Sequence, residues 1–228
     1  MPLQPDYSAT NVGCFGCGGS GKTTWAARYL RQTDYAARFL FDPLGSLSRY
    51  CGVPRYRTEA GLVAGLRTGW AAFDPSGMFF TDYQAGAAWF AQFALTWSER
   101  LSGRKCFAAD ELGRYLDGNK LPKVVQGLVL SYRNYGGDFL MLSQHPYDLP
   151  SKARGQITLT VAFTTEEPGA LDWFASRGFD REAVATLRPA RLRVPPCGEF
   201  LIRSQGGATY GGALYPGGAA SPAARPRK

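Results

Sequence analysis

The sequence holds a single histidine in 228 residues. One imidazole cannot build a histidine-rich zinc centre, nor a nuclease-like cluster of acids and histidines, so metal-dependent strand cutting is not supported. Cysteine is also scarce and odd in number, at five. Cys14 and Cys17 form a C-x-x-C, but it lies across a strand and a glycine-rich loop rather than in a thioredoxin-like setting. A disulfide framework is therefore not expected. With no secretory leader, the sequence points to a reducing cytoplasm. Long apolar runs are missing too. The longest, Ala85 to Trp97, has thirteen residues and contains Gln92, too short for a membrane-spanning segment. No internal repeat is evident.

What is present suits one α/β domain: 45% hydrophobic and 14% aromatic residues, enough for a packed core. The formal net charge is +8, with twenty arginines against six lysines. That sign suggests an acidic polymer as partner, although the arginine bias alone also fits a GC-rich genome.

Residues 1–10 read as a flexible arm and 11–205 as the folded domain. Residues 206–228 read as a flexible Gly/Ala/Pro-rich tail ending in Arg225, Arg227 and Lys228. Strands are expected at Asn11–Phe15, Ala36–Asp42, Ser76–Thr81, Lys105–Glu111, Asp138–Gln144, Gln156–Phe163 and Gly198–Arg203. Ser46–Arg57 reads as a loop. Helices are expected after the glycine-rich loop, at Thr58–Thr68, Ala87–Leu101 and Leu121–Tyr135, with two short ones at Glu166–Arg177 and Asp180–Leu187. Trp89, Phe90, Phe93, Leu95 and Trp97 fall at helical spacing and read as core. Strands alternating with helices imply a largely parallel sheet covered on both faces.

The chemistry is concentrated between Gly16 and Thr24. Gly16-Cys-Gly-Gly-Ser-Gly-Lys-Thr23 fits G-x-x-x-x-G-K-[ST], in the strand–loop–helix order that a phosphate loop requires. Gly16, Gly18, Gly19, Ser20, Gly21 and Thr24 would present the loop to ATP, backbone amides inward. The positive N-terminal end of the next helix adds to the attraction. Lys22 would reach the β- and γ-phosphates, and Thr23 would offer its hydroxyl to Mg2+. Phe107-Ala-Ala-Asp-Glu111 is an apolar strand delivering two acids. Asp110 would hold Mg2+, and Glu111 would orient and deprotonate an attacking water. Gln144, ending another apolar strand, can touch the γ-phosphate or that water. Arg133, before a Gly-Gly turn, can supply a cation to a neighbouring subunit's transition state.

In this order the pieces resemble the FtsK–HerA superfamily of DNA-pumping ATPases: phosphate loop, Asp42-Pro43, Asp110-Glu111, Arg133 and Gln144. The likeness extends over about residues 10–205. The resemblance implies a P-loop NTPase of the ASCE, RecA-like kind, a three-layer α/β sandwich with a mainly parallel central sheet. The compactness is similar to the genome-packaging ATPases of tailless, internal-membrane dsDNA viruses. Those imply a ring, usually a hexamer, that pushes double-stranded DNA into a preformed capsid. Capsid vertex or portal proteins would be its partners, and the host cytoplasm and packaging vertex its location. Asp42 is left without a chemical role. No sharp DNA-contacting motif is present. Arg49, Arg55 and Arg57, interleaved with Tyr50 and Tyr56, form the first basic cluster, and Arg114, Lys120 and Lys123 the second. Either can contact phosphates without reading sequence. A filamentous-phage-type extrusion ATPase, a nucleotide-dependent switch and a kinase remain alternatives.

Overall fold

A computed structural model describes residues 10–111, 113, 120–192 and 197–214, apart from the Cys197 side chain. β1 (Asn11–Phe15) leads through the glycine-rich loop to α1 (Lys22–Gln32). Next come β2 (Ala37–Phe41), α2 (Ser46–Cys51), β3 (Arg55–Tyr56), α3 (Glu59–Leu66) and β4 (Trp70–Phe73). A short α4 (Ser76–Phe79) and the long α5 (Tyr83–Arg100) precede β5 (Lys105–Asp110). α6 (Lys123–Ser131) continues as a 3-10 turn, Tyr132–Tyr135, into β6 (Gly137–Ser143). The chain then forms α7 (Ser151–Gly155), β7 (Leu159–Phe163), α8 (Pro168–Ser176) and α9 (Arg181–Ala185). A 3-10 turn at Ala190–Leu192 leads to the hairpin of β8 (Cys197–Ser204) and β9 (Thr209–Leu214).

Among the described residues nine strands form one sheet in the order β3-β4-β2-β5-β6-β1-β7-β8-β9. Pairings from β3 through β7 are parallel, and β8 and β9 pair antiparallel. Alternation along each strand fills two cores. Phe39, Phe107 and Phe139 lie in one register row and face α5, α6 and α8. Leu40, Ala108 and Leu140 face α1 and α2 on the other side. Buried on both faces, these parallel strands read as near-continuous apolar runs. The three-layer, mainly parallel architecture agrees with the expected fold class. α5 likewise buries Phe90 and Phe93, with Trp89, Leu95 and Trp97 partly covered against the same core. Among the described residues no helix is long and apolar enough to cross a membrane.

Three expectations need correction. The strand beyond α3 is Trp70–Phe73, while Ser76–Phe79 is helical; Asp74 turns the chain by accepting from the Ser76 amide and hydroxyl. The Ser46–Arg57 loop holds α2 and β3. Thr209–Leu214, assigned to a tail beginning at 206, completes the sheet as β9. Its glycines carry little strand propensity but let Phe200 lie across them: a Cβ on Gly212 would sit 2.4 Å from Phe200 Cζ. The arm up to residue 9, and residues 215–228 with Arg225, Arg227 and Lys228, fall outside the described residues.

Candidate active site

β1 runs directly into the phosphate loop, and the loop's glycines are dictated by close approach. Gly16 has φ 147°, and a Cβ there would lie 2.6 Å from Phe163 Cβ on β7. Gly21, with φ 116°, caps α1 against Leu214, whose Cδ1 would be 2.8 Å from an added Cβ. α1 has no side-chain cap and no acid in its first turn, so its leading amides are left for an anion. Lys22 is buried, and Nζ donates to the carbonyls of Gly16 at 2.6 Å and Cys17 at 3.1 Å. Ser20 Oγ is buried and has no hydrogen-bond partner among the described residues. A cavity of about 430 Å³ opens over Gly19–Thr24, walled by Ser46, Arg49 and Tyr50 of α2 and by Arg191. Such a pocket, lined by a loop, an ammonium and two guanidiniums, suits a polyphosphate.

The carboxylates stand at the same edge of the sheet. Asp110 ends β5, while Asp42 follows β2 one residue beyond the Phe41–Ala109 pair, so the two acids are register neighbours. Burial, then Asp42 and Glu111, push the Asp110 carboxyl up to about 7, against the opposing pull of Lys22. A carboxyl so placed is half ready to exchange its proton for a cation at neutral pH. Asp42 is fully buried; Oδ2 accepts from the Ser48 amide at 2.7 Å, and Oδ1 has no partner among the described residues. Glu111 has φ 53°, an uncommon conformation for a non-glycine residue, with its amide donating to Leu142 O at 3.0 Å. Gln144 is exposed, and its main-chain carbonyl accepts from the Gly16 amide at 3.3 Å. Lys22, Asp110, Glu111 and Gln144 therefore converge at the carboxyl ends of β1, β5 and β6, the edge where parallel α/β sheets place ligands.

No protein-family model and no curated protein matches the sequence. Solved structures match by fold. The genome packaging NTPase B204 of Sulfolobus turreted icosahedral virus 2, in complex with ATP-gammaS, aligns with TM-score 0.65 at 17% identity, over 90% of this chain and 96% of that one. B204, the DNA-packaging ATPase of Sulfolobus turreted icosahedral virus, gives TM-score 0.58 at 20% identity, over 89% and 96%. VirB4 of Thermoanaerobacter pseudethanolicus gives 0.60 at 12% identity, over 89% of both chains. The chain shares its fold with these viral packaging NTPases and with VirB4.

Within this fold the other expected site residues divide. Arg133 is exposed on the 3-10 turn ahead of β6. Gln144 follows the other end of that seven-residue strand. At about 3.3 Å per residue the strand between them is about 23 Å long. Arg133 thus stands at the opposite edge from its own phosphate loop. Arg55 is tied into the fold: Nη1 donates to Pro43 O at 2.7 Å and to Asp42 O at 3.2 Å, and Nη2 lies 3.4 Å from Asp74 Oδ2. Arg57 Nε donates to the same Asp74 carboxylate at 2.8 Å. Arg49 lines the phosphate cavity. Lys120 and Lys123 are exposed on the segment after Glu111, and Arg114 lies outside the described residues.

Arg191 is the residue that sequence reading missed. Its amide donates to Gly19 O at 2.8 Å, and Nη1 donates to Gly18 O at 3.0 Å and contacts Cys17 Sγ at 3.1 Å. It props the outer side of a loop more than 170 positions earlier, a pairing that no local pattern signals. A divalent cation fits the site on chemical grounds. Among the described residues no three His, Cys, Asp or Glu side chains cluster as a self-sufficient metal site. A threonine hydroxyl and one or two carboxylates beside a phosphate cradle are what Mg2+ takes, with phosphates and water completing its shell.

Proposed function

We propose that the chain is an ATP-hydrolysing motor that moves double-stranded DNA, packaging a viral genome into a preformed capsid. The observation that carries this reading is the gathering of Lys22, Asp110, Glu111 and Gln144 at one sheet edge, in a fold matched along 90% of its length by a genome packaging NTPase.

ATP binds with its phosphates over Gly16–Thr24. The loop and α1 amides receive the phosphate oxygens, and Lys22 turns from the Gly16 and Cys17 carbonyls to the β- and γ-phosphates. Thr23 and Asp110 hold Mg2+, which when bound draws charge from the phosphate oxygens. Glu111 accepts the proton of the attacking water, and Gln144 orients that water. Arg49 and Arg191 flank the phosphates on the cavity walls. Arg133, at the far edge of its own sheet, serves the site of the next subunit in a ring, usually a hexamer. Its guanidinium stabilises the charge that develops on the transferring phosphoryl group.

DNA contacts fall to Arg114, Lys120 and Lys123, since Arg55 and Arg57 already share Asp74. Contacts of this kind grip phosphates without reading bases. The motor works in the host cytoplasm, docked on a capsid vertex or portal. The deciding experiment measures ATP hydrolysis with and without duplex DNA. The wild type should hydrolyse faster with DNA, whereas Lys22→Ala should be inactive in both conditions while remaining folded. Turnover that survives in Lys22→Ala refutes the site assignment.

A further inference from the structure

Asp42 carries a buried carboxylate oxygen that the fold leaves unused. The residue is 0% exposed. Oδ2 is occupied by the Ser48 amide at the start of α2, and Oδ1 has no hydrogen-bond partner among the described residues. Its main-chain carbonyl accepts from the Gly45 amide at 3.1 Å and from Arg55 at 3.2 Å, so the residue is fixed on both sides. Beside it on the next strand is Asp110, another buried acid. An orphaned, immobilised buried acceptor calls for a ligand that the protein itself does not supply.

We propose that Asp42 is a positioning residue for the divalent cation, its Oδ1 accepting a hydrogen bond from the cation's hydration shell while Oδ2 stays on Ser48. This rests on the reading of Thr23 and Asp110 as the residues that hold that cation. Asp42 then joins two walls of the site, because the helix whose amide it caps carries Arg49 and Tyr50 into the phosphate cavity. A carboxylate serves here and an amide does not: both can cap α2, but only the carboxylate offers a full negative charge and an acceptor on both sides.

The test uses the full chain, ADP and Mn2+, with Mn2+ binding followed by electron paramagnetic resonance. The wild type should show a Mn2+ site that depends on ADP. Asp42→Asn should weaken it about 10- to 100-fold, the usual effect of losing an outer-shell partner, while ADP affinity in EDTA stays unchanged. A residue that only caps α2 would leave Mn2+ affinity at the wild-type value, because asparagine caps the helix as well. Mn2+ affinity equal to wild type would overturn the assignment, as would a variant that fails to fold. If the wild type itself shows no ADP-dependent Mn2+ site, the metal reading of Thr23 and Asp110 fails and the role of Asp42 falls with it.

Discussion

Replacing Asp110 by asparagine should stabilise the empty protein, and by an amount that grows with pH. Burial, Asp42 and Glu111 lift the Asp110 carboxyl from 3.8 to about 7 in the folded chain. Because the folded value is the higher one, the stability linked to its proton is complete below about pH 4 and is lost as pH rises through about 7. A rise of that size corresponds to about 4 kcal/mol in all. Asparagine has nearly the shape of the protonated acid and never ionises. The difference in unfolding free energy between Asp110→Asn and wild type should therefore widen by about 2–3 kcal/mol between about pH 5 and about pH 8. The assay is urea unfolding across that range in EDTA, without nucleotide. Taking the difference cancels the titration of distant acids. Adding Mg2+ and ATP analogue should shrink or invert the gap, since the ionised wild-type carboxylate is then the form that binds. A gap that stays constant with pH would refute the reasoning, because Asp110 would then be titrating as an ordinary solvated acid.

Glu111→Gly should abolish hydrolysis yet raise stability by about 1 kcal/mol, because glycine adopts φ 53° without the cost that a side chain incurs; equal or lower stability in urea would mean that the backbone there is not strained. Mixing inactive Arg133→Ala with inactive Glu111→Gln should restore part of the ATPase rate, since some interfaces in mixed rings pair an intact Glu111 with an intact Arg133. Mixed rings with no activity would remove the shared site. DNA affinity should fall steeply with salt and be indifferent to sequence, as counterion release from phosphates requires. A binding curve insensitive to salt would contradict a backbone grip.

The elements that declared themselves in the sequence did so through local chemistry. β1 and the loop after it are one continuous signature, and β5, β6 and β7 are apolar runs because each is buried on both faces. β4 was misplaced although a clue was present: Phe41-Asp42-Pro43 and Phe73-Asp74-Pro75 share one ending, and those phenylalanines pair in register. The alanines of Trp70-Ala-Ala-Phe73 hid the strand, since they bring burial without strand propensity. β9 was hidden by its glycines, whose value appears only when Phe200 packs over them.

The positions of the candidate site residues were legible to the same degree. Lys22, Thr23, Asp110, Glu111 and Gln144 sit on contiguous motifs, and the fold brings them to one edge. The surroundings of the arginines were not legible. Arg49, Arg55 and Arg57 look alike in sequence, yet one lines the phosphate cavity and two bind Asp74. Arg191 and the unused oxygen of Asp42 depend on residues far apart in the chain or on neighbouring strands. Only the folded geometry joins them.

The central claim is that hydrolysis moves the protein along duplex DNA. The measurement that tests it most directly is displacement of a third strand from a triplex placed on a long duplex. The assembled wild-type protein should release that strand with ATP and retain it with a non-hydrolysable analogue, and Glu111→Gln should retain it in both. Rings that bind duplex and hydrolyse ATP, yet never release the third strand, would contradict the account.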